Sequence, residues 1–220
     1  MKVLVTGFEP FGGDRVNASV EAVRRLPAQL GRLEIATAEL PTSYARSLPA
    51  LEAAVARSAP RIVLCVGQAG DRAALCVERV AVNVQDARIP DNDGAQPQDV
   101  PIVAGGPAAY LATLPVRAAV AALRAQELPA QLSMSAGTFV CNHVFYGLMR
   151  LAEARRHAFR GGFLHVPALP GQADGPVKSR EVRAWKARLG EPGEVEPPGL
   201  PLESIVLAIT TVLEAAAQER

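Results

Sequence analysis

The chain has 220 residues, 49% of them apolar and 20% charged, with a formal net charge of +1. That length and apolar content suit a single domain over residues 1–220 with a sizeable core, and argue against a disordered chain. The near-neutral balance gives no basis for a nucleic-acid groove or a membrane-binding face, and no apolar run approaches the roughly 20 residues of a membrane span.

The elements read as follows in chain order. Lys2 to Thr6 (KVLVT) is a buried strand that runs straight into glycines, too short for the core of a signal peptide. Ser19 to Leu26 has helical character, Leu33 to Leu40 is a strand, and Tyr44 to Arg57 carries apolar residues at helical spacing. Arg61 to Gly67 (RIVLCVG) reads as a strand, and Glu78 to Val84 alternates with period two as one more strand, paired antiparallel nearby. Asp86 to Gly94 (DARIPDNDG) is a polar surface loop. Ala108 to Gln126 reads as an Ala-rich helix interrupted by Pro115, followed by a short strand at Gln131 to Ser135 and a helix from Asn142 to Arg156. Gly162 to Val166 (GFLHV) is a strand, Gly171 to Gly199 a long surface excursion with one helical turn near Trp185, and Leu202 to Gln218 the last helix. Alternating strands and helices predict an α/β fold with a mostly parallel, open sheet covered on both faces.

In such sheets ligands bind beyond the carboxyl ends of the strands. The positions there are Gly7, Phe8, Glu9 and Phe11, then Gln68 and Gly70, then Asp86, Arg88, Asp91 and Asn92, then Cys141 and His165. The glycine-rich start TGFEPFGG lacks the Lys and Ser/Thr of a phosphate loop and the spacing of a dinucleotide fingerprint. A nucleotide-binding reading is therefore poor. A turn that packs Phe8 and Phe11 into the core and a shaped apolar pocket both remain open.

The three cysteines are odd in number and match no zinc spacing, which predicts free thiols in a reducing, cytoplasmic compartment. Cys65 and Cys76 read as packing residues. Cys141 lies where a helix begins, so free amides and the helix dipole favour its thiolate; nucleophile and core filler are both open for it. A nucleophile needs a base. His143 is on the same helix but points to another face, and His157 ends a helix among arginines. His165, near the carboxyl end of its strand, is either a satisfied core histidine or the base. The carboxylate that would orient it is Glu78, with Arg79 as a neighbour able to neutralise it, or one of Asp86, Asp91 and Asp93.

The segments VLVTGFEPFGGDRVN, ERVAVNVQDARIPDN, SAGTFVCNHVFYGL, FLHVPALP and PLESIV occur in that order across almost the whole chain. Together they resemble the pyroglutamyl peptidase I family of cysteine peptidases. The resemblance implies a three-layer α/β/α sandwich with no metal or organic cofactor. It implies Cys141 as nucleophile, His165 as base, Glu78 as orienting carboxylate and Arg88 near the oxyanion. It further implies a pocket for a pyroglutamyl ring from Phe8, Phe11, Asn17, Thr42, Gln68, Ile89, Phe139 and Val140. Peptides with an N-terminal pyroglutamate are the implied substrates, and a homotetramer the implied assembly. The chain departs from the family pattern at Ala18, Asp71, Met134 and Gly171. The reading from another class is a non-catalytic α/β protein that uses the same pocket for a small ligand.

Overall fold

The computed structural model describes residues 1–172 and 199–218. A seven-stranded sheet forms the middle layer, with strand order β2-β3-β1-β4-β9-β5-β8. The strands are β1 (Lys2–Phe8), β2 (Gln29–Leu30), β3 (Leu33–Leu40), β4 (Ile62–Gln68), β5 (Leu75–Glu78), β8 (Ala130–Ser133) and β9 (Arg160–Val166). β1 pairs parallel with β3 and β4, and β4 pairs parallel with β9. β5 runs antiparallel to β9 and parallel to β8, and β2 turns back antiparallel on β3. A two-stranded ribbon, β6 (Val80–Val82) with β7 (Ala109–Leu111), stands apart from the main sheet.

The central strands are apolar runs because both their faces are covered. On one face lie α1 (Ala18–Arg24), α3 (Val116–Ala125) and α5 (Leu202–Gln218), which bury Val23, Leu123, Ile209 and Val212 against Val3, Val5, Leu64 and Leu164. On the other lie α2 (Ser47–Ser58) and α4 (Val140–Ala154), which bury Leu51, Val144, Phe145 and Leu148 against Leu4, Phe8, Cys65 and Phe163. Each fully buried Leu or Phe contributes about 1.5–3 kcal/mol, so both layers are strongly attached. Gly7 lets α1 lie directly on β1, since a Cβ there would fall 2.7 Å from the Val20 backbone.

Among the boundaries that differ from the sequence reading, three bear on the site or the sheet. The run Glu78 to Val84 is two strands: β5 ends at Glu78 in the main sheet, and β6 joins β7 in the ribbon. The Ala-rich stretch after Ala108 begins as β7, and Pro115 is the residue that starts α3 rather than one that interrupts it. This fits the tolerance of proline at a helix entrance. The helix after Phe139 starts two residues earlier than the pattern suggests, which places Cys141 inside its first turn. The turn expected near Trp185 lies outside the described residues.

The topology also locates the cleft. β1 connects through α1 to β3 on one side, while β4 leads on toward β5 and β9 on the other. Chain connections therefore diverge between β1 and β4, and the carboxyl ends of those strands flank the crevice that such a switch point opens.

Candidate active site

Phe139 precedes α4 in an extended conformation and offers no side-chain cap. The first helical bond runs from the His143 amide to the Phe139 carbonyl (3.1 Å). The amides of the first turn before it, that of Cys141 included, have no helical acceptor and face the positive end of the helix dipole. Asn142 locks this end in place. Fully buried, its side chain donates to the carbonyls of Val82 (2.9 Å) and Val84 (3.1 Å) and accepts from the Val82 amide (3.0 Å).

Cys141 is partly exposed as a residue, and its sulfur is lodged against β4. A Cβ on Gly67 would sit 2.9 Å from both Cys141 Sγ and Phe163 Cζ, so the glycine makes the seat for the sulfur. Gly67 pairs in register with His165 on β9, which puts the imidazole on the same sheet face one strand away. Glu78 pairs with Phe163, two residues short of His165, and its Oε1 reaches His165 Nδ1 at 2.8 Å. Glu78 is fully buried and His165 nearly so. Thiol, imidazole and carboxylate thus come together from α4, β9 and β5.

A helix start by itself predicts an easily ionised thiol. The surroundings reverse that. Burial pushes the Cys141 thiol up to about 12, and the negative charge of Glu78 adds to the effect. The positive charge of Arg72 and the residue's own amide oppose it. Cys65, deep in β4, is likewise pushed up to about 12 by burial.

The counter-ion of Glu78 is Arg72, not the adjacent Arg79. Arg72 Nη1 donates to Glu78 Oε1 at 2.7 Å, and Nη2 donates to the Ser135 carbonyl at 3.0 Å. Two of the competing aspartates, Asp91 and Asp93, are used elsewhere. Asp91 accepts from the amides of Tyr44 (2.8 Å), Asp93 (2.9 Å) and Ala95 (2.8 Å). Asp93 pairs with Arg46 (2.8 Å) and Ser43 (2.6 Å), which hold its carboxyl down at about 2. Asp86 accepts through its carbonyl from Thr138 Oγ1 (2.7 Å). These bonds order the DARIPDNDG loop against the β3–α2 connection.

Six of the eight expected pocket residues, Phe8, Phe11, Asn17, Thr42, Gln68 and Phe139, line one cleft that ends on Cys141. Phe11 and Phe139 stack obliquely at 5.8 Å, and Tyr44 meets Phe139 edge-on at 5.8 Å. Ile89 and Val140 stand outside that lining, and Val140 is fully buried in the core. Asn17 caps α1 by accepting from the Ser19 amide and donates to the Glu9 carbonyl (3.1 Å), while Gln68 Oε1 accepts from the Ala18 amide (2.6 Å). Both side chains therefore shape the cleft as parts of the frame.

Arg88 is exposed on its loop, where its carbonyl accepts from Gln96 Nε2 (3.1 Å). Met134 is 62% exposed and contributes nothing to the cleft lining. His143 is buried edge-on to Tyr44 at 5.4 Å, with neither ring nitrogen hydrogen-bonded, and His157 is exposed beyond α4. The sequence reading missed Gly67, Arg72 and Asn142. Gly67 did carry a signal, since a glycine inside a buried strand marks a close approach.

Among the described residues no group of three or more His, Cys, Asp or Glu is placed to hold a metal ion, and no helix is long and apolar enough to cross a membrane. The class is that of an α/β protein with a thiol in the first turn of a helix, seated over the strand next to a buried imidazole–carboxylate pair. A family model described as pyroglutamyl peptidase matches residues 1–219. The chain is 55% identical over 175 residues to pyrrolidone-carboxylate peptidase 1 of Ralstonia nicotianae, covering 79% of this chain and 81% of that protein. It is 49% identical over 173 residues to pyrrolidone-carboxylate peptidase of Erwinia tasmaniensis, covering 78% and 80%. The crystal structure of pyroglutamyl peptidase I from Bacillus amyloliquefaciens superposes with a TM-score of 0.86 at 43% identity, over 99% of this chain and 95% of that one. Pyrrolidone carboxyl peptidase from Thermococcus litoralis gives 0.86 at 37% identity, over 98% and 93%. The chain belongs to the pyroglutamyl peptidase family.

Proposed function

We propose that this protein is a cysteine exopeptidase that removes an N-terminal pyroglutamyl residue by acyl transfer, with Cys141 as nucleophile, His165 as base and Glu78 as orienting carboxylate. Its family membership supports the activity. The observation that carries the residue roles is the 2.8 Å contact between His165 Nδ1 and Glu78 Oε1, beside the strand position over which the thiol sits.

An ionised carboxylate only accepts, so Nδ1 carries the hydrogen and Nε2 keeps its lone pair for the thiol. With the resting sulfur protonated, the base must act during attack. His165 Nε2 takes the Sγ proton as sulfur bonds to the pyroglutamyl carbonyl carbon. The oxyanion forms at the open amides of the α4 N-terminus, Cys141 N–H first, with Arg88 brought in by its loop. Collapse breaks the C–N bond, and the imidazolium gives its proton to the departing amine. Water then adds to the thioester carbon, passing a proton to His165. The C–S bond breaks, pyroglutamate leaves, and Sγ regains its proton.

The cleft suits that substrate. Its lining residues Phe8, Phe11, Asn17, Thr42, Gln68, Phe139 and Cys141 are all uncharged. A lactam ring has no ammonium and needs no counter-charge there, whereas a free amino terminus would lose its hydration without a partner. The reading extends to a single domain over residues 1–220 that works as a homotetramer in the cytoplasm. Three free cysteines suit a reducing compartment.

The test is hydrolysis of a pyroglutamyl-linked fluorogenic amide. Turnover should vanish with a thiol alkylator and in Cys141→Ala, and persist in Cys65→Ala and Cys76→Ala. Loss of turnover in a well-folded Cys65→Ala protein would mean that the wrong sulfur has been chosen.

A further inference from the structure

We propose that Arg72 is a positioning residue of this site: its guanidinium fixes the Glu78 carboxylate on which His165 rests. The inference rests on the acyl-transfer reading above.

Arg72 follows β4 in the loop that leads into β5, with its amide bonded to the Ala69 carbonyl (3.1 Å) and its side chain 26% exposed. The guanidinium spans two elements. Nη1 meets Glu78 Oε1 on β5 at 2.7 Å and Ser133 Oγ on β8 at 3.4 Å, and Nη2 meets the Ser135 carbonyl at 3.0 Å. Glu78 Oε1 therefore receives two donors, Arg72 and His165. Glu78 Oε2 is buried and has no partner. A carboxylate bonded through one oxygen is free to swing about its terminal torsion. The Arg72 fork, anchored on Ser135, removes that freedom and leaves His165 Nδ1 one fixed acceptor.

The same 2.7 Å contact between Arg72 and Glu78 carries a charge argument. The charged and titratable groups that bear on Cys141 are Glu78 from β5, Cys65 from β4 and Arg72 beyond Glu78; Cys141 in turn bears on Tyr44, and His165 stands on the strand beside its seat. Asp86 and Asp91 bear on Tyr44, and Cys76 bears on Arg72. In this set Arg72 is the permanent cation. It offsets the repulsion that Glu78 exerts on the developing thiolate, without giving up the carboxylate that the imidazolium needs.

The experiment compares Arg72→Met and Arg72→Lys with the parent by two readouts. One is kcat and KM on the pyroglutamyl amide. The other is the rate of iodoacetamide labelling of Cys141 at a fixed, mildly alkaline pH, with the label located by mass spectrometry. Arg72→Met should lower kcat on the order of 100-fold, as for a misplaced catalytic group, with KM little changed because the ring cleft is untouched. Labelling should slow by about tenfold, one unit of thiol ionisation. Arg72→Lys should recover the labelling rate, which needs charge, and only part of kcat, which needs the fork. If Arg72→Met does not fold, Ser133→Ala removes one anchor and should lower kcat in the same direction by a smaller factor.

Unchanged kcat and labelling in Arg72→Met would overturn the proposal. So would a change confined to KM, or Arg72→Lys behaving like Arg72→Met in both readouts. Where Arg72→Met does not fold, unchanged kcat in Ser133→Ala with parent-like Arg72→Lys would overturn it too. Labelling needs no substrate, so a parent protein inert on the amide would sink the functional reading, while slower labelling in Arg72→Met would still support the role of Arg72.

Discussion

The two faces of the sheet do different work. The face under α1, α3 and α5 is built from aliphatic side chains, with Leu123, Ile209 and Leu213 at its centre. The face under α2 and α4 carries Thr6, Ser47, Glu78, His143 and His165 among its buried residues, and every buried side-chain atom without a partner among the described residues belongs to the first four of these. Leaving polar groups unpaired costs on the order of 1–3 kcal/mol each. That cost is concentrated on the face with the thiol, while the opposite face is mostly aliphatic and its buried polar residues, Ser19 and Thr211, are not among the unpartnered ones. Stability and chemistry are separated by the thickness of one strand.

The largest test of this division is Glu78→Gln. Turnover should fall on the order of 1,000-fold or more, because the amide can present its NH2 to Nδ1 and favour the wrong tautomer. The thiol should alkylate faster, since the negative charge that pushes it up is gone. Turnover and alkylation falling together would argue against the role given to Glu78.

Gly67→Ala comes next. Its Cβ would meet Cys141 Sγ and Phe163 Cζ at 2.9 Å, so the sulfur must move. A displacement approaching 1 Å costs about 100-fold in kcat/KM, and a crystal structure of the variant would show where the thiol goes. A variant of parental activity would mean that the seat is looser than the glycine implies.

On the opposite face, Leu123→Ala should behave the other way. Emptying a fully buried position there costs about 2–5 kcal/mol in urea unfolding, with kcat per folded molecule unchanged. A drop in kcat would show that the two faces are mechanically coupled.

The smallest effect concerns His143, which burial pushes down to about 4. An unfolded histidine takes its proton near pH 6.5, as a rough reference value. Between those values the unfolded chain binds more protons, so stability falls as the pH drops from about 6.5 to about 4 and levels off below. The total is at most about 3 kcal/mol. His143→Phe should flatten that part of the profile of thermal unfolding against pH and leave turnover near neutrality intact.

The parts of this molecule most legible in the sequence are those whose signal is local. KVLVT, RIVLCVG and GFLHV read as strands because an apolar run between turn residues has one sensible outcome, and the helix Leu202–Gln218 has the ends that the sequence suggests. Segments of alanine are ambiguous, which is why Ala109–Leu111 hid inside an expected helix. The resemblance of the motifs named the right family. Local reasoning failed where a contact crosses the fold. Glu78 takes its cation from Arg72, brought back from the preceding loop by the path of the chain, and not from Arg79 beside it. Asp91 and Asp93 compete with Glu78 on paper, but only the folded loop reveals that backbone amides and Arg46 have claimed them.

The direction of one short strand has a further consequence. β5 enters the sheet against the run of β9, so its last residue arrives opposite Phe163, in the interior, and not at the rim beside Val166. A strand travelling with β9 would have delivered a terminal carboxylate to the open crevice, where water would hydrate it and loosen its grip on the ring. Reversal sinks Glu78 one layer deeper, under the histidine, so the acid that steers the imidazole never competes with substrate for space.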